Sequence, residues 1–215
     1  MYTCAQCGIH ACYQKDHSKM PSNCPMHQGE VMEDAFSSYM RDDLHDFYIQ
    51  SCLVESAGYG EWPRLRETIE FAKRLGYTHL GLAFCYGLRR EAKIVDSLLR
   101  RHGFQVDSVI CKCGGIDKSE VGIPHDKFVR PQRDFEAMCN PIGQAKLLNQ
   151  QHTQLNIALG LCVGHDSLFC KFSDALVTTL VVKDRALANN PVGAIYCAEG
   201  YLAPKLEPDG DPKKH

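Results

Sequence analysis

Twelve of the 215 residues are cysteine, and most of them fall into two groups whose chemistry suits a metal. The first is Cys4, Cys7, Cys12 and Cys24 in "MYTCAQCGIHACYQKDHSKMPSNCPMHQGE". Cys4 and Cys7 are separated by two residues, a turn that presents both sulfurs to one point, as a tetrahedral ion or one edge of a cubane cluster needs. With Cys12 and Cys24 the group reaches four thiols, a complete site. His10, His17 and His27 could each replace a cysteine, and Cys12-x4-His17 has the look of a zinc knuckle. Cys24-Pro25 resembles the end of the bacterial ferredoxin run, whose spacings are otherwise different. Thiolate sets of this kind suit zinc and iron–sulfur centres alike.

The second group is dispersed: Cys85, Cys111, Cys113, Cys139 and Cys162, with His165 three residues after the last. In "VICKCGG" two thiols stand two positions apart at the end of an apolar run. On a strand, alternation points Cys111 and Cys113 to one side and Lys112 to the other. Five thiolates and a histidine exceed what one structural zinc needs, which tilts this group toward a cluster or a ligand-exchanging role. Each cysteine alone also fits a small packed apolar residue. Cys52, Cys170 and Cys197 are left over and are expected in the core.

The elements that must position these residues follow from periodicity. Residues 1–30 hold few large aliphatics and cannot close around an apolar core, so a bound metal is expected to hold them. Residues 31–60 read as a helical connector, with Met32, Phe36, Tyr39 and Met40 at loosely helical spacing. From residue 61 the pattern sharpens. "WPRLRETIEFAKRLG" predicts an amphipathic helix with Pro63 near its first position and Gly76 at its left-handed end. "THLGLAFC", "VDSVICKC", "LNIALGLCVG" and "LVTTLVVKD" are apolar runs of strand length. Helical patterns separate them: "REAKIVDSLLRRHG", "PIGQAKLLNQQ" capped by Asn140, and "HDSLFCKFS" with Asp166 as the expected cap. Alternation of this kind predicts an α/β fold: a doubly wound, mainly parallel, Rossmann-like sheet of about four to five strands, carrying a small cysteine-rich N-terminal segment. "AIYC" would add a short edge element. Residues 114–139 form a long polar excursion or lid. The expected organisation is a metal-binding segment over 1–30, a connector over 31–60, an α/β domain over 61–203 and a disordered tail over 204–215.

On that map Cys85, Cys111, Cys113 and Cys162 end three strands and Cys139 precedes a helix. All five reach the carboxyl edge of the sheet, where open α/β folds bind ligands and where helix N-termini favour thiolate. Asp166, Lys183, Asp184 and Arg185 could act beside that crevice, although "VVKDR" also reads as a strand end entering a turn. Glu55 and Glu91 are expected to be solvated.

Bulk properties exclude several classes. Hydrophobic residues make up 44% and charged residues 23%, with a formal charge of −2 and no basic block. The chain is expected to fold, and nothing draws it to nucleic acid or anionic lipid. No apolar run approaches membrane-spanning length, and the first residues do not read as an export signal, which predicts a cytoplasmic protein with reduced thiols. Neither a P-loop nor G-x-G-x-x-G occurs, so a dinucleotide is not supported.

The stretches "CAQCGIHAC", "NCP", "LGLAFCYGLRREA", "VICKCGG", "CNPIGQAKLLN", "NIALGLCVGHDSLF" and "LVVKDRALANNP" together resemble the DUF1847 family, uncharacterised bacterial and archaeal proteins described only as metal-binding. The resemblance covers nearly the whole chain. It implies metal binding through Cys4, Cys7, Cys12, Cys24, Cys85, Cys111, Cys113, Cys139, Cys162 and His165, and it supplies no reaction. Four functions are compatible with these residues, the first being the expected one and the others its alternatives. One is a redox or sensory protein with two metal centres, at least one a [4Fe–4S] cluster. Another is a zinc protein with structural zinc and a second zinc that activates water. A metal-free thiol enzyme would use Cys111 or Cys162 as nucleophile and His165 as base. Metal storage or delivery is the fourth. The partner is expected to be a redox protein or a small-molecule substrate.

Overall fold

A computed structural model describes residues 1–206. Residues 207–215, most of the expected disordered tail, lie outside the described residues. The chain divides into two compact units, Met1–Tyr59 and Gly60–His215.

In the first unit, 3-10 turns at Cys4–Gln6, His17–Lys19 and Pro25–His27 surround the single-turn α1 (Ala11–Gln14), followed by α2 (Gly29–Tyr39) and α3 (His45–Gly58). The expected helical connector is therefore two helices. Ala11 is the one buried residue among residues 1–28. The residues flanking α1, His10 and Lys15, both take left-handed backbone at φ 51° and 55°, which side-chain-bearing residues adopt only at a cost. Local polar bonds supply what order there is. Asn23 Nδ2 donates to Thr3 Oγ1 at 2.7 Å, tying together the neighbours of Cys24 and Cys4.

The second unit runs α4 (Arg64–Arg74), β1 (His79–Phe84), α5 (Arg89–Arg101), β2 (Gln105–Ile110), α6 (Pro141–Gln150), β3 (Leu155–Leu159), α7 (His165–Phe172), β4 (Val177–Val181), α8 (Val192–Tyr196) and α9 (Ala203–Leu206). The four strands are parallel in the order β2-β1-β3-β4. This is the expected Rossmann-like α/β sheet. The chain steps one way from β1 to β2 and returns past β1 to reach β3, so right-handed crossovers put α5 and α6 on opposite faces. β3 is central and entirely buried, Asn156 included, as a parallel strand covered on both faces requires. On the α6 face the sheet presents small residues. Ala83 and Ala158 pack with Ala145, Leu148, Leu161 and Phe169. At Gly81 a Cβ would fall 1.9 Å from Asn156 Oδ1 and 2.9 Å from Leu148 Cδ1, so only glycine admits α6 this closely. Leu80 and Leu82 alternate to the other face and are fully buried. Each buried leucine contributes about 1.5–3 kcal/mol.

The strands end level. Phe84 pairs with Ile110 on one side and Leu159 on the other, and the ladder continues one bond further. Cys85 N–H donates to Leu159 O at 3.1 Å and Cys111 N–H to Phe84 O at 2.8 Å.

Local readings change at four places. β2 stops at Ile110, and residues 111–114 form a turn, so the alternation argument does not apply to Cys111 and Cys113. Asp166 does not cap α7: Gly164, at φ 80°, occupies that position, and Asp166 Oδ1 accepts from Ser167 N–H. Residues of "AIYC" belong to α8 and its end, not to an edge strand, since the segment carries helix-turn bonds and no ladder partner. Pro63 is the N-cap of α4, one position earlier than expected. The 114–139 excursion is ordered by an Asp117–Ala137 bridge, a capping box at Asp117 and the Lys118–Glu136 ion pair. Among the described residues no helix is long and apolar enough to cross a membrane.

Candidate functional site

At the carboxyl ends of β1, β2 and β3 a cavity is lined by Cys85, Cys111, Cys139, Cys162 and His165, together with Pro141, Gln144 and Leu161. It encloses about 190 Å³ including the open space at its mouth, while its interior admits about one water-sized atom. Four thiols from four separate chain segments thus meet where the strand order reverses between β1 and β3, the switch point at which open α/β sheets bind ligands.

Each lining residue arrives by a local device. Cys85 and Cys111 follow the last residues of β1 and β2. Cys139 is delivered by Asn140, which bridges two elements. Its N–H donates to Cys111 O at 2.8 Å, its Oδ1 accepts from Gly143 N–H at 2.8 Å to cap α6, and its Nδ2 donates to Cys113 O at 3.2 Å. Gly114 and Gly115, at φ 93° and 60°, let the turn fold back onto that asparagine. Cys162 precedes α7, and its carbonyl accepts from the N–H groups of His165 and Asp166 at 2.9 and 3.1 Å, which sets His165 at the helix start.

The thiols interact directly. Cys139 Sγ lies 3.9 Å from Cys111 Sγ, and Cys111 also hydrogen-bonds Cys85. Cys111, 3% exposed, sits between the two and keeps its proton, its pKa raised by the neighbouring Cys139 and Cys85 sulfurs and by burial. The flanking pair responds oppositely. Cys85 is lowered to about 5 by Cys111, with help from the Gly87 N–H and from Lys183. Cys139 is lowered to about 5 by Cys111, then by Lys112 and His165. Three cations ring the group. Lys112 Nζ lies 3.4 Å from Cys139 Sγ, Arg185 donates to Cys162 Sγ at 2.9 Å, and Lys183 reaches Cys85. Tyr86 N–H donates to Cys111 Sγ at 3.2 Å. The expected crevice cations are thus Lys183 and Arg185. Asp184 instead accepts from Ala186 and Leu187 N–H, organising the turn.

Cys113 is not among the lining residues. Its Sγ turns to Asn140 O at 3.7 Å, and burial raises its pKa. The leftover cysteines are exposed rather than in the core: Cys52, Cys170 and Cys197 all lie at the surface. Cys52 and Cys170 sit on α3 and α7 faces turned outward, and Cys197 follows the short α8.

In the first unit, Cys4 and Cys12 are exposed and Cys7 and Cys24 half-buried. Cys7 Sγ accepts N–H bonds from His10 and Ile9, which lower its pKa. Sulfur held by N–H groups two and three residues on stabilises thiolate. Among the described residues no three His, Cys, Asp or Glu side chains stand in an arrangement ready to hold a metal ion.

Two residues at the site lie beyond the sequence reading: Lys112, beside the Cys139 sulfur, and the lining residue Gln144, for which the available signal is a polar residue in the buried stripe of Pro141, Ala145 and Leu148.

The family model for a protein of unknown function, DUF1847, matches residues 24–180. The chain belongs to the DUF1847 family. The matched region takes in β1 to most of β4 and every lining residue of the cavity, and it leaves out Cys4, Cys7 and Cys12. An uncharacterized protein of Methanocaldococcus jannaschii is 42% identical over 206 residues, covering 95% of this chain and 98% of its own length. No solved structure matches.

Proposed function

We propose that this family member is a thiolate metal protein whose strand-end cavity takes a single ion, zinc in the first instance, and whose N-terminal cysteines take a second. The observation that carries this is the convergence of Cys85, Cys111, Cys139, Cys162 and His165 on one cavity whose free interior, about one water-sized atom, is far too small for a cluster. The donor set fits a borderline-soft ion. Thiolates sharing one ion at about 2.3 Å stand about 3.8 Å apart in a tetrahedron, and the Cys111–Cys139 separation is 3.9 Å. In a cubane each cysteine binds a different iron, so the sulfurs stand well beyond contact and the cavity would have to open. Zinc would complete the ionisation of Cys111, and Lys112, Lys183 and Arg185 would offset the negative charge of a multi-thiolate centre.

At the N-terminus the missing core supports a structural role for the metal: a segment with one buried residue needs another source of cohesion.

The test is anaerobic purification of the full chain, then metal and acid-labile sulfide analysis with an absorption spectrum. A colourless, sulfide-free protein carrying zinc is expected, with Cys111→Ser losing the cavity ion and keeping the other, and Cys113→Ser keeping both. Brown protein with acid-labile sulfide overturns the single-ion assignment in favour of a [4Fe–4S] redox or sensory centre. A chain that takes up no metal on anaerobic reconstitution overturns both and leaves a thiol enzyme, in which Cys85 and Cys139 are the reactive thiolates.

A further inference from the structure

Gln144 is fully buried on α6 and lines the thiolate cavity. Its Nε2 donates to Val109 O at 2.7 Å and to Phe84 O at 3.3 Å, carbonyls near the ends of β2 and β1. Both amide hydrogens are therefore spoken for. Turning the amide over would set its oxygen against two carbonyl oxygens, so the network assigns the orientation. Oε1 is left with no hydrogen-bond partner, the one such buried side-chain nitrogen or oxygen among the described residues. A buried amide oxygen held this way and left unpaired is costly, and such an atom calls for a donor supplied from elsewhere.

None of the cavity walls satisfies it. Pro141 has no N–H, Leu161 presents a hydrocarbon side chain, and neither the lining thiols nor His165 hydrogen-bonds Oε1. The donor this atom calls for is one that comes with whatever enters.

We propose that, with the ion held among the Cys85, Cys111 and Cys139 sulfurs, the water-sized space of the cavity takes a small protic molecule, water in the simplest case, as an exchangeable ligand, and that Gln144 Oε1 accepts its hydrogen. This rests on the metal assignment above and goes beyond it. Three protein ligands and one exchangeable position distinguish a working site from a closed structural one. Gln144 then selects for a ligand that carries a hydrogen on the atom facing α6. An aprotic anion of similar size meets the amide oxygen's lone pairs and is disfavoured.

The experiment uses the full chain loaded with cobalt(II), whose visible spectrum reports its ligands, and azide as an aprotic probe. Wild-type protein is expected to change its spectrum on azide addition. In Gln144→Leu the displaced water has lost its acceptor and azide no longer faces an oxygen, so azide binds about tenfold more tightly. Gln144→Met, of closer shape, gives the same direction if the leucine variant folds poorly. Independently of any variant, electron–nuclear double resonance on the wild-type cobalt protein should show exchangeable protons lost in deuterium oxide. Cobalt bound with a spectrum indifferent to azide in every form, or azide affinity unchanged by either substitution, overturns this proposal and leaves the metal assignment standing. Failure to bind cobalt at all overturns the metal assignment, and this proposal with it.

Discussion

Cys111 is 3% exposed and its sulfur touches that of Cys139, whereas Cys4 and Cys12 lie in solvent on a segment with one buried residue. The two cysteine groups share a chemistry and differ in what holds them. In the α/β unit the sheet comes first: register, glycine turns and the Asn140 bridge carry thiols from distant positions to one cavity whether or not a ligand is present. In the N-terminal segment sequence spacing places the thiols near one another, and little else restrains them. The contrast teaches where a metal would matter: at one end it would use a fold, at the other it would make one.

On the proposed metal assignment, the sharpest way to break that contrast is to withdraw the ion. Chelation should raise the rate of protease cleavage within residues 1–28 by at least about tenfold while the α/β unit stays resistant, because bound-state stability vanishes only where the ligand supplied it. Equal loosening of both units, seen as fragments from each, would show that the cavity also depends on its ligand for order.

The next effect lies in the packing beneath the cavity. Leu148 is fully buried against the α6 face of the sheet, so Leu148→Ala should cost about 2–5 kcal/mol in urea unfolding of the α/β unit. Cys12→Ala, at an exposed position, should leave that transition where it is. A comparable shift from both would erase the distinction between a packed and a ligand-held region.

The pH dependence of stability sharpens the contrast from within the cavity. In metal-free protein Cys85 and Cys139 lie at about 5, below the ordinary thiol value of 9.0. Because folding favours their ionised form, the contribution is complete above the ordinary value, declines as pH falls, and is gone below about 5. Urea resistance should therefore decrease from pH 9 to pH 5, and Cys139→Ser should flatten that slope. Thiolate absorbance in the ultraviolet gives a second readout, with midpoints near 5 that the variant loses in part. An unaltered slope would place the dependence outside the cavity.

The smallest effect belongs to the bridge. Asn140→Ala removes the α6 cap and the bond to Cys113 O, and should cost about 1 kcal/mol. Its larger consequence should be a loosened Cys139, measured as faster alkylation by a bulky reagent. Asn140→Asp restores the cap but not the donor, so it should recover stability more than it recovers shielding.

Much of this was legible before folding was considered. The largely apolar segments Leu80–Phe84 and Leu155–Leu159 read as strands buried on both faces, and Gly76 and Gly103 end their helices with the positive φ that such ends require. Pro141 after Asn140 announced the start of α6 correctly. Strand alternation failed at Cys113 because the strand had already ended, and whether a ladder continues depends on the neighbouring strand rather than on residue type. The core assignment of Cys52, Cys170 and Cys197 failed for a related reason: a thiol is small enough to be tolerated on either face, so its position carries no intrinsic sign.

What the sequence by itself determined is the set of thiols, the alternation of strands and helices, and hence the edge of the sheet at which Cys85, Cys111, Cys139 and Cys162 had to arrive. Those are properties of local pattern and chain direction. Only the tertiary structure decided which sulfurs touch, which cations face them, that Cys113 turns away, and that Gln144 brings an unpaired oxygen to the same cavity. Each of these is a non-local distance, set by strand register and helix packing to within an ångström, a scale that residue spacing along the chain does not encode.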